Sequence, residues 1–158
     1  MTRDELLRLE DEELARLCRI DTLRGTGPGG QKRNKTESAV RVTHRESSLS
    51  AFDDESRSQH LNRGKALKKL RLELAVNMRQ APQAWDKDCP GVNSRQYACW
   101  LAAVFDALSA SEFRLSDAAV LLGSSTGRLS RNLSKCPFVC QRVNQERQKR
   151  GLPVLRWD

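Results

Sequence analysis

The chain has 158 residues, a formal net charge of +8 and a pI near 9.7. That length fits one medium domain or two small ones and excludes a large multidomain enzyme. The N-terminus is acidic and lacks an apolar signal region, and no run approaches the ~18 apolar residues of a membrane span. We therefore expect a cytoplasmic protein that neither is secreted nor enters a membrane.

The cysteines argue against a metal site. There are five, scattered along the chain without any C-x-x-C pair, and only two histidines accompany them. A zinc site of ordinary spacing is not encoded. We expect reduced thiols, no metal and no cofactor.

Positive charge is concentrated in three segments. Residues 24–45 carry six basic and one acidic side chain, residues 57–79 seven and one, and residues 127–156 eight and one, whereas residues 1–23 carry four basic and seven acidic. Three basic clusters on an acidic frame indicate a polyanionic partner, above all nucleic acid. Each cluster taken singly is also compatible with a solvated surface.

The start of the chain predicts a helix and two strands. Thr2 and Glu5 have the spacing of a capping box, and the uneven apolar stripe behind them predicts a short or broken helix over 3–17. Apolar and polar residues alternate at 18–23 and again at 40–45. Both stretches therefore predict half-buried strands.

The segment between these strands has the composition of a presented loop. Residues 24–36 contain four glycines, a proline and no apolar side chain, so they cannot belong to a core. Glycine lets the backbone approach a ligand, and the Gln31 amide offers hydrogen-bond donors and an acceptor but no titratable proton. This chemistry suits positioning better than proton transfer. On these residues alone, an ordinary Gly-Pro turn explains the pattern equally well.

A third strand and a long helix complete the first domain. The strand is predicted at 49–52, and a second capping box, Ser56 with Gln59, precedes a helix over about 57–79. Apolar residues at spacings of three and four define its buried face: Leu67, Leu70, Leu74 and Met78. These elements predict a small α+β domain over 1–80.

The rest of the chain predicts a linker and an all-α domain. Pro, Asp, Gly and Asn dominate residues 81–94, which we assign to the linker, and residues 95–158 are helical in pattern. Four helices are predicted there. The first carries the apolar stripe Tyr97, Trp100, Leu101, Val104 and Leu108. The second and third begin at the caps Ser116 and Ser125, and the last lies between Pro137 and Gly151. A short helix, a turn and a basic second helix resemble a helix-turn-helix, although a plain helical bundle gives the same pattern.

Four blocks of sequence identify a family resemblance. They occur in one order over residues 18–75 and read Arg19-Ile20-Asp21-Thr22-Leu23-Arg24, Gly27-Pro28-Gly29-Gly30-Gln31-x-x-Asn34-Lys35-Thr36, Ser38-Ala39-Val40-Arg41-Val42-Thr43-His44, and Arg57-Ser58-Gln59-x-x-Asn62-Arg63-x-x-Ala66-Leu67. Together they resemble the catalytic GGQ domain of class I peptide chain release factors, an antiparallel sheet with helices.

The resemblance implies an enzyme that hydrolyses the ester between a nascent peptide and tRNA on the large ribosomal subunit. The catalytic residues would be Gly29, Gly30 and Gln31. In the family, the backbone N–H of the residue matching Gln31 stabilises the leaving oxygen, and its side chain orients water. A glutamine methyltransferase acting on Gln31 is an implied partner.

The same resemblance implies where RNA binds. The expected contacts in the first domain are Arg24, Lys32, Arg33, Asn34, Lys35, Arg41, Arg57, Arg63 and Lys65, and those in the helical domain are Arg128, Arg131, Arg147, Lys149 and Arg150. Lys32 and Arg33 depart from the histidine and valine that are frequent in full-length factors, and they make the loop base more basic.

The nearest resemblance is to short, codon-independent factors that rescue stalled ribosomes. Because only about 17 residues precede the first matching strand, we expect no codon-reading domain. Expected partners are large-subunit rRNA, peptidyl-tRNA and a second rescue factor, with the chain itself a monomer. The alternative is a non-catalytic RNA- or DNA-binding protein that works through its helical domain.

Overall fold

A computed structural model describes residues 1–24 and 37–157 of the chain. Internal contacts divide it into two units, Met1–Asn77 and Met78–Asp158. The first combines helices with a three-stranded antiparallel sheet and the second is helical, which confirms the predicted α+β class.

The first unit begins with two short helices, α1 (Arg3–Leu7) and α2 (Asp11–Arg16). Thr2 Oγ1 accepts a hydrogen bond from the Glu5 N–H at 3.2 Å, and the Glu5 carboxylate accepts one from the Thr2 N–H at 2.9 Å. A second capping box starts α2. The predicted broken helix with its capping box is therefore confirmed.

Three strands follow in the order β1-β2-β3: β1 (Cys18–Leu23), β2 (Ala39–His44) and β3 (Ser50–Asp53). β2 pairs antiparallel with both neighbours, and its register against β1 runs from Cys18 opposite His44 to Leu23 opposite Ala39. All three predicted strands are present within one residue of their expected bounds.

The helix α3 (Gln59–Asn77) packs across β2 and β3 and closes the core of the first unit. Its side chains Ala66, Leu67, Leu70 and Leu74 are fully buried, as are Val40 and Val42 of β2. The predicted residues Leu67, Leu70 and Leu74 thus form the core face, as expected for period-3.6 packing on an alternating strand. Met78, predicted on the same face, lies past the end of α3 and is only half-buried.

The start of α3 corrects one detail of the prediction. Ser58, not Ser56, caps the helix, since Ser58 Oγ accepts from the Leu61 N–H at 3.2 Å. Ser56 Oγ accepts instead from the Ser58 N–H, and the Gln59 amide donates to Glu37 O. Two serines near a helix start are both good caps by composition, and the tertiary contacts of Ser56 decide between them.

The second unit contains four helices: α4 (Tyr97–Ala110), α5 (Leu115–Leu122), α6 (Thr126–Leu133) and α7 (Pro137–Lys149). Its core gathers their apolar faces, including Tyr97, Leu101, Phe105, Leu108 and Leu133. Ser125 caps α6 and Pro137 opens α7 as predicted, while α5 begins at Leu115 without a side-chain cap, so the predicted cap at Ser116 is wrong.

Residues 81–94 contain neither helix nor strand. The chain leading into this stretch and the stretch itself are tied to the helices of the second unit. The Gln80 N–H donates to Asp106 Oδ1 at 2.9 Å and the Trp85 N–H to Leu122 O at 3.1 Å. In residues 1–24 and 37–157, no helix is long and apolar enough to cross a membrane.

Truncating the buried face of α3 should destabilise the first unit. We expect Leu67→Ala to lower the free energy of unfolding by about 2–5 kcal/mol, because the fully buried side chain leaves a cavity. Leu61→Ala on the same helix is the matched control, since Leu61 is 56% exposed. Urea unfolding of both variants tests this, and equal losses would show that α3 does not bury the face described.

Candidate functional site

Catalytic candidates Gly29, Gly30 and Gln31 lie outside the described residues, as do Lys32, Arg33, Asn34 and Lys35. The structure instead describes the frame on either side of them. Leu23, at the end of β1, pairs with Ala39 at the start of β2. Opposed residues of antiparallel strands are about 4.5–5.5 Å apart between Cα atoms. The segment between the two strands therefore begins and ends at the same end of the β1–β2 pair.

Hydrogen bonds from α3 fix the point where the chain re-enters the sheet. Gln59 Nε2 donates to Glu37 O, and Asn62 Nδ2 donates to Ser38 O, both at 2.8 Å. Asn62 Nδ2 also donates to Ser56 O at 2.8 Å, and its Oδ1 accepts from the Ser56 N–H at 2.9 Å. One side chain therefore joins the start of β2 to the turn before α3.

Asn62 does this from the interior, since it is fully buried and Ser38 is almost so. A buried amide is costly unless its groups are paired. Here the oxygen and the amide nitrogen both have partners. No role was predicted for Asn62 from the sequence, although a signal was present: it stands four residues before the buried Ala66 on the core face of α3.

Three predicted RNA contacts of the first unit are exposed and lie near this frame. Arg24 follows β1 directly, Arg41 projects from β2, and Arg57 lies in the turn before α3. The Arg41 guanidinium sits 5.5 Å from the centre of the Phe52 ring. Within residues 1–24 and 37–157 none of the three forms a salt bridge, so their charge is available to a phosphate.

Arg63 and Lys65 have a different setting, because acidic side chains of the same unit already pair with them. Arg63 forms two hydrogen bonds to Glu12, at 2.7 and 3.2 Å, and these bonds lower the Glu12 pKa. Lys65 pairs with Glu55 at 3.3 Å. Acidic side chains of the N-terminal segment and of the stretch at the end of β3 thus compensate basic charge on α3, which charge counting along the chain could not reveal.

The candidates of the second unit also divide by environment. Arg128 and Arg131 are exposed on α6 and line a cleft, whereas Lys149 and Arg150 pair with Glu146 at 3.2 and 2.8 Å. Arg150 also bonds to Glu112 at 3.3 Å. Only α6 presents unpaired charge among these candidate positions.

The burial of Arg147 corrects the prediction that this residue contacts RNA. Its side chain is buried and donates to Phe113 O at 2.7 Å and to Pro153 O at 2.9 Å. Burial lowers the pKa of its guanidinium. Phe113 has a left-handed φ of 60°, and Arg147 holds that turn and the C-terminal segment against α7. Arg147 therefore stabilises the fold of its own unit.

No group of three or more His, Cys, Asp or Glu side chains that could hold a metal occurs in residues 1–24 and 37–157. All five cysteines lie in those ranges, and no disulfide joins any two of them. Cys18 and His44 face each other across β1 and β2, at the opposite end of those strands from Leu23 and Ala39. They are buried and belong to the core of the first unit.

Comparison with known proteins identifies the frame. The RF-1 domain family model matches residues 9–96, which is more than half of the chain. Similar sequences include peptide chain release factor 1 of Syntrophobacter fumaroxidans, 48% identical over 66 residues, and that of Acidiphilium cryptum, 52% identical over 66 residues. Each match covers 42% of this chain and 19% of the relative.

The factor 1 of Magnetococcus marinus is 44% identical over 75 residues, which are 48% of this chain and 20% of that protein. The chain thus matches about a fifth of the length of these relatives. With the family match over residues 9–96, the chain belongs to the RF-1 domain family, and its strands and α3 are the GGQ-domain frame that the sequence blocks indicated.

Removing the Asn62 anchor should loosen the frame locally. Asn62→Ala leaves Ser38 O and the Ser56 backbone groups without their buried partner, and we expect a loss of about 1–3 kcal/mol in stability. Amide hydrogen exchange should rise at Ser56 and around residues 38–40. Asn77→Ala is the matched control, because the exposed Asn77 bonds to Glu73 within α3. Equal exchange in both variants would contradict the anchoring role.

His44 should make the stability of the first unit depend on pH. Burial lowers its pKa below the usual 6.5, and its Nδ1 accepts from the Ser47 N–H at 3.3 Å. The unfolded chain then binds a proton that the folded chain does not, so stability is full above pH 6.5 and falls as the pH drops below it. We expect His44→Gln to flatten the profile measured by urea unfolding between pH 7.5 and 5.

The control for this profile is His60→Gln, which removes the exposed histidine of α3 and keeps the first-unit core intact. An unchanged slope in His44→Gln, or an equal change in His60→Gln, would contradict the assignment of this pH dependence to His44.

Proposed function

We propose that this chain hydrolyses the peptidyl-tRNA ester on stalled ribosomes, with Gly29, Gly30 and Gln31 as its catalytic residues. The observation that carries the proposal is the Asn62 anchor within an RF-1 domain frame. It fixes one end of the glycine-rich segment beside the paired end of β1. A short, fixed base supports a thin loop that carries a functional group to a distant substrate.

Ester hydrolysis needs a water placed at the carbonyl and donors aimed at the oxygens on which charge develops. In the proposed mechanism, the Gln31 backbone N–H stabilises the leaving 3′-oxygen of the tRNA and its side-chain amide orients the attacking water. Gly29 and Gly30 give the backbone the freedom to present that N–H. Because Gln31 has no titratable proton, its contribution is positioning and charge stabilisation.

Binding to RNA would rest on those predicted contacts that are exposed and have no ion-pair partner among the described residues. In the first unit these are Arg24, Arg41 and Arg57. The basic residues of the segment 32–35, which lie outside the described residues, are proposed contacts from their sequence alone. In the second unit they are Arg128 and Arg131. Arg63, Lys65, Lys149 and Arg150 would contribute less, because each starts from an ion pair within its own unit.

We further propose that release does not require a stop codon, and that the helical unit supplies the ribosome or tRNA contact. The support is the composition of this chain beyond the frame: helices with unpaired arginines on α6. Large-subunit rRNA and peptidyl-tRNA are the proposed partners, with a second rescue factor on a split subunit and a methyltransferase modifying Gln31.

A second candidate function rests on α5 and α6. They are joined by the three residues 123–125, Gly123 has a left-handed φ of 74°, and Ser125 caps α6, an arrangement typical of helix-turn-helix proteins. A non-catalytic nucleic-acid-binding protein would need these helices and would not need Gln31.

Substitutions in the loop separate the two functions. We expect Gln31→Ala and Gly30→Ala each to slow peptide release from stalled ribosomal complexes by about 100-fold or more, the size of losing one aimed transition-state group. Ribosome binding should stay within about two-fold, since no cation is removed. Single-turnover release of labelled peptide and co-sedimentation measure the two quantities.

Gly64→Ala is the matched control for Gly30→Ala. Gly64 lies within α3, and a Cβ there meets no atom within 4 Å, so this variant should release at the parental rate. Parental rates in both loop variants would remove the catalytic assignment and favour the binding function.

A further inference from the structure

The second unit contains a cleft that the proposed hydrolysis does not use. It lies beside the turn between α5 and α6 and has a volume of about 330 Å³. The segment 85–89 forms part of its lining and α6 another part. All of its lining residues belong to the second unit.

Positive charge dominates the lining. Lys87, Arg128, Arg131 and Lys135 line the cleft, and in residues 1–24 and 37–157 none of them has a salt-bridge partner; Asp88 is the one acid among the lining residues. The basic residues near the end of α7 are instead paired or buried. The four cations of the cleft therefore keep positive charge that no salt bridge within the described part of the chain compensates, which favours an anionic ligand.

The first turn of α6 adds to this field. The Arg131 guanidinium folds back over it, with Nη1 3.5 Å from the position a Cβ on Gly127 would occupy. The N-terminal end of a helix carries partial positive charge. Guanidinium and helix end together favour phosphate at this side of the cleft.

Trp85 supplies an aromatic wall. Its backbone N–H donates to Leu122 O at 3.1 Å, and its indole Nε1 donates to Asp88 O at 3.3 Å. Both hydrogen-bonding N–H groups are thus used inside the unit, and what the half-exposed ring still offers is apolar surface. Its position is fixed by these bonds before any ligand arrives.

We propose that this cleft binds an unpaired nucleotide of single-stranded RNA, with the cations on its phosphates and its base stacked on Trp85. A basic groove with an aromatic platform is the usual way to hold a single strand. The volume suits one nucleotide better than a duplex. Asn132 and Asp88 also line the cleft and offer hydrogen-bond acceptors to a 2′-hydroxyl, the group that distinguishes RNA from DNA.

This inference deepens the proposed RNA-binding role of the helical unit and rests on it. The test of this inference uses the full chain without ribosomes. A negative result would therefore overturn the cleft as an RNA site and would not bear on the proposed peptide release. Fluorescence anisotropy is measured with a labelled oligo-U of about 10 nucleotides, the matching oligo-dU, and an RNA duplex. We expect binding in the order oligo-U, oligo-dU, duplex.

Variants then separate charge from stacking. Arg128→Ala with Arg131→Ala should make the slope of log affinity against log salt shallower by about 1.4, or about 0.7 for each phosphate of a single strand that is no longer neutralised. Trp85→Ala should weaken binding about five-fold or more at every salt concentration. Trp85→Phe keeps an aromatic face and should retain most of the affinity. This second variant shows whether weaker binding by Trp85→Ala comes from the loss of stacking or from a folding defect.

Lys135→Ala and Arg156→Ala form the matched pair, because each removes one exposed cation of the second unit and only Lys135 lines the cleft. We expect affinity to fall with Lys135→Ala alone. Equal losses in the pair, full affinity in Trp85→Ala, or tighter binding of the duplex would each overturn the proposed site, and equal binding of oligo-dU would overturn RNA as its ligand.

Discussion

The frame of the first unit depends on the buried amide of Asn62. A polar side chain without solvent access must find its partners inside the protein, and Asn62 finds them on the start of β2 and on the turn before α3. These hydrogen bonds join residues that are 24 and 6 positions away in the chain. They tie the end of the glycine-rich segment to the helix that covers the sheet. If the proposed release activity holds, this is how the fold supports it.

Ion pairs formed in the fold, more than the count of charged residues along the chain, decide which surfaces stay positively charged. The basic helix α3 and the acidic segment before β1 neutralise each other through pairs such as Glu12 with Arg63 and Asp11 with Arg71. The consequence is electrostatic: Arg24, Arg41 and Arg57 of the first unit and the cleft of the second unit keep positive charge that no salt bridge within residues 1–24 and 37–157 compensates.

Much of the fold could be predicted because local patterns and tertiary packing agree. Alternation indicated the strands, the stripe from Leu67 to Leu74 indicated the buried face of α3, and Gly151 indicated the end of α7. Cap choice failed where two candidates were close in sequence, as with Ser56 and Ser58. The site was harder: the burial of Arg147 and the partners of Arg63 depend on residues more than 30 positions away, which no local pattern contains.

Hydrolysis of peptidyl-tRNA without codon reading would show in how the rate of release depends on the A-site codon. The rate of peptide release would be measured on matched ribosomal complexes that carry a stop codon, a sense codon or no codon in the A site. We predict release on the complex without a codon, and no acceleration by a stop codon. Release confined to the stop-codon complex would contradict this claim.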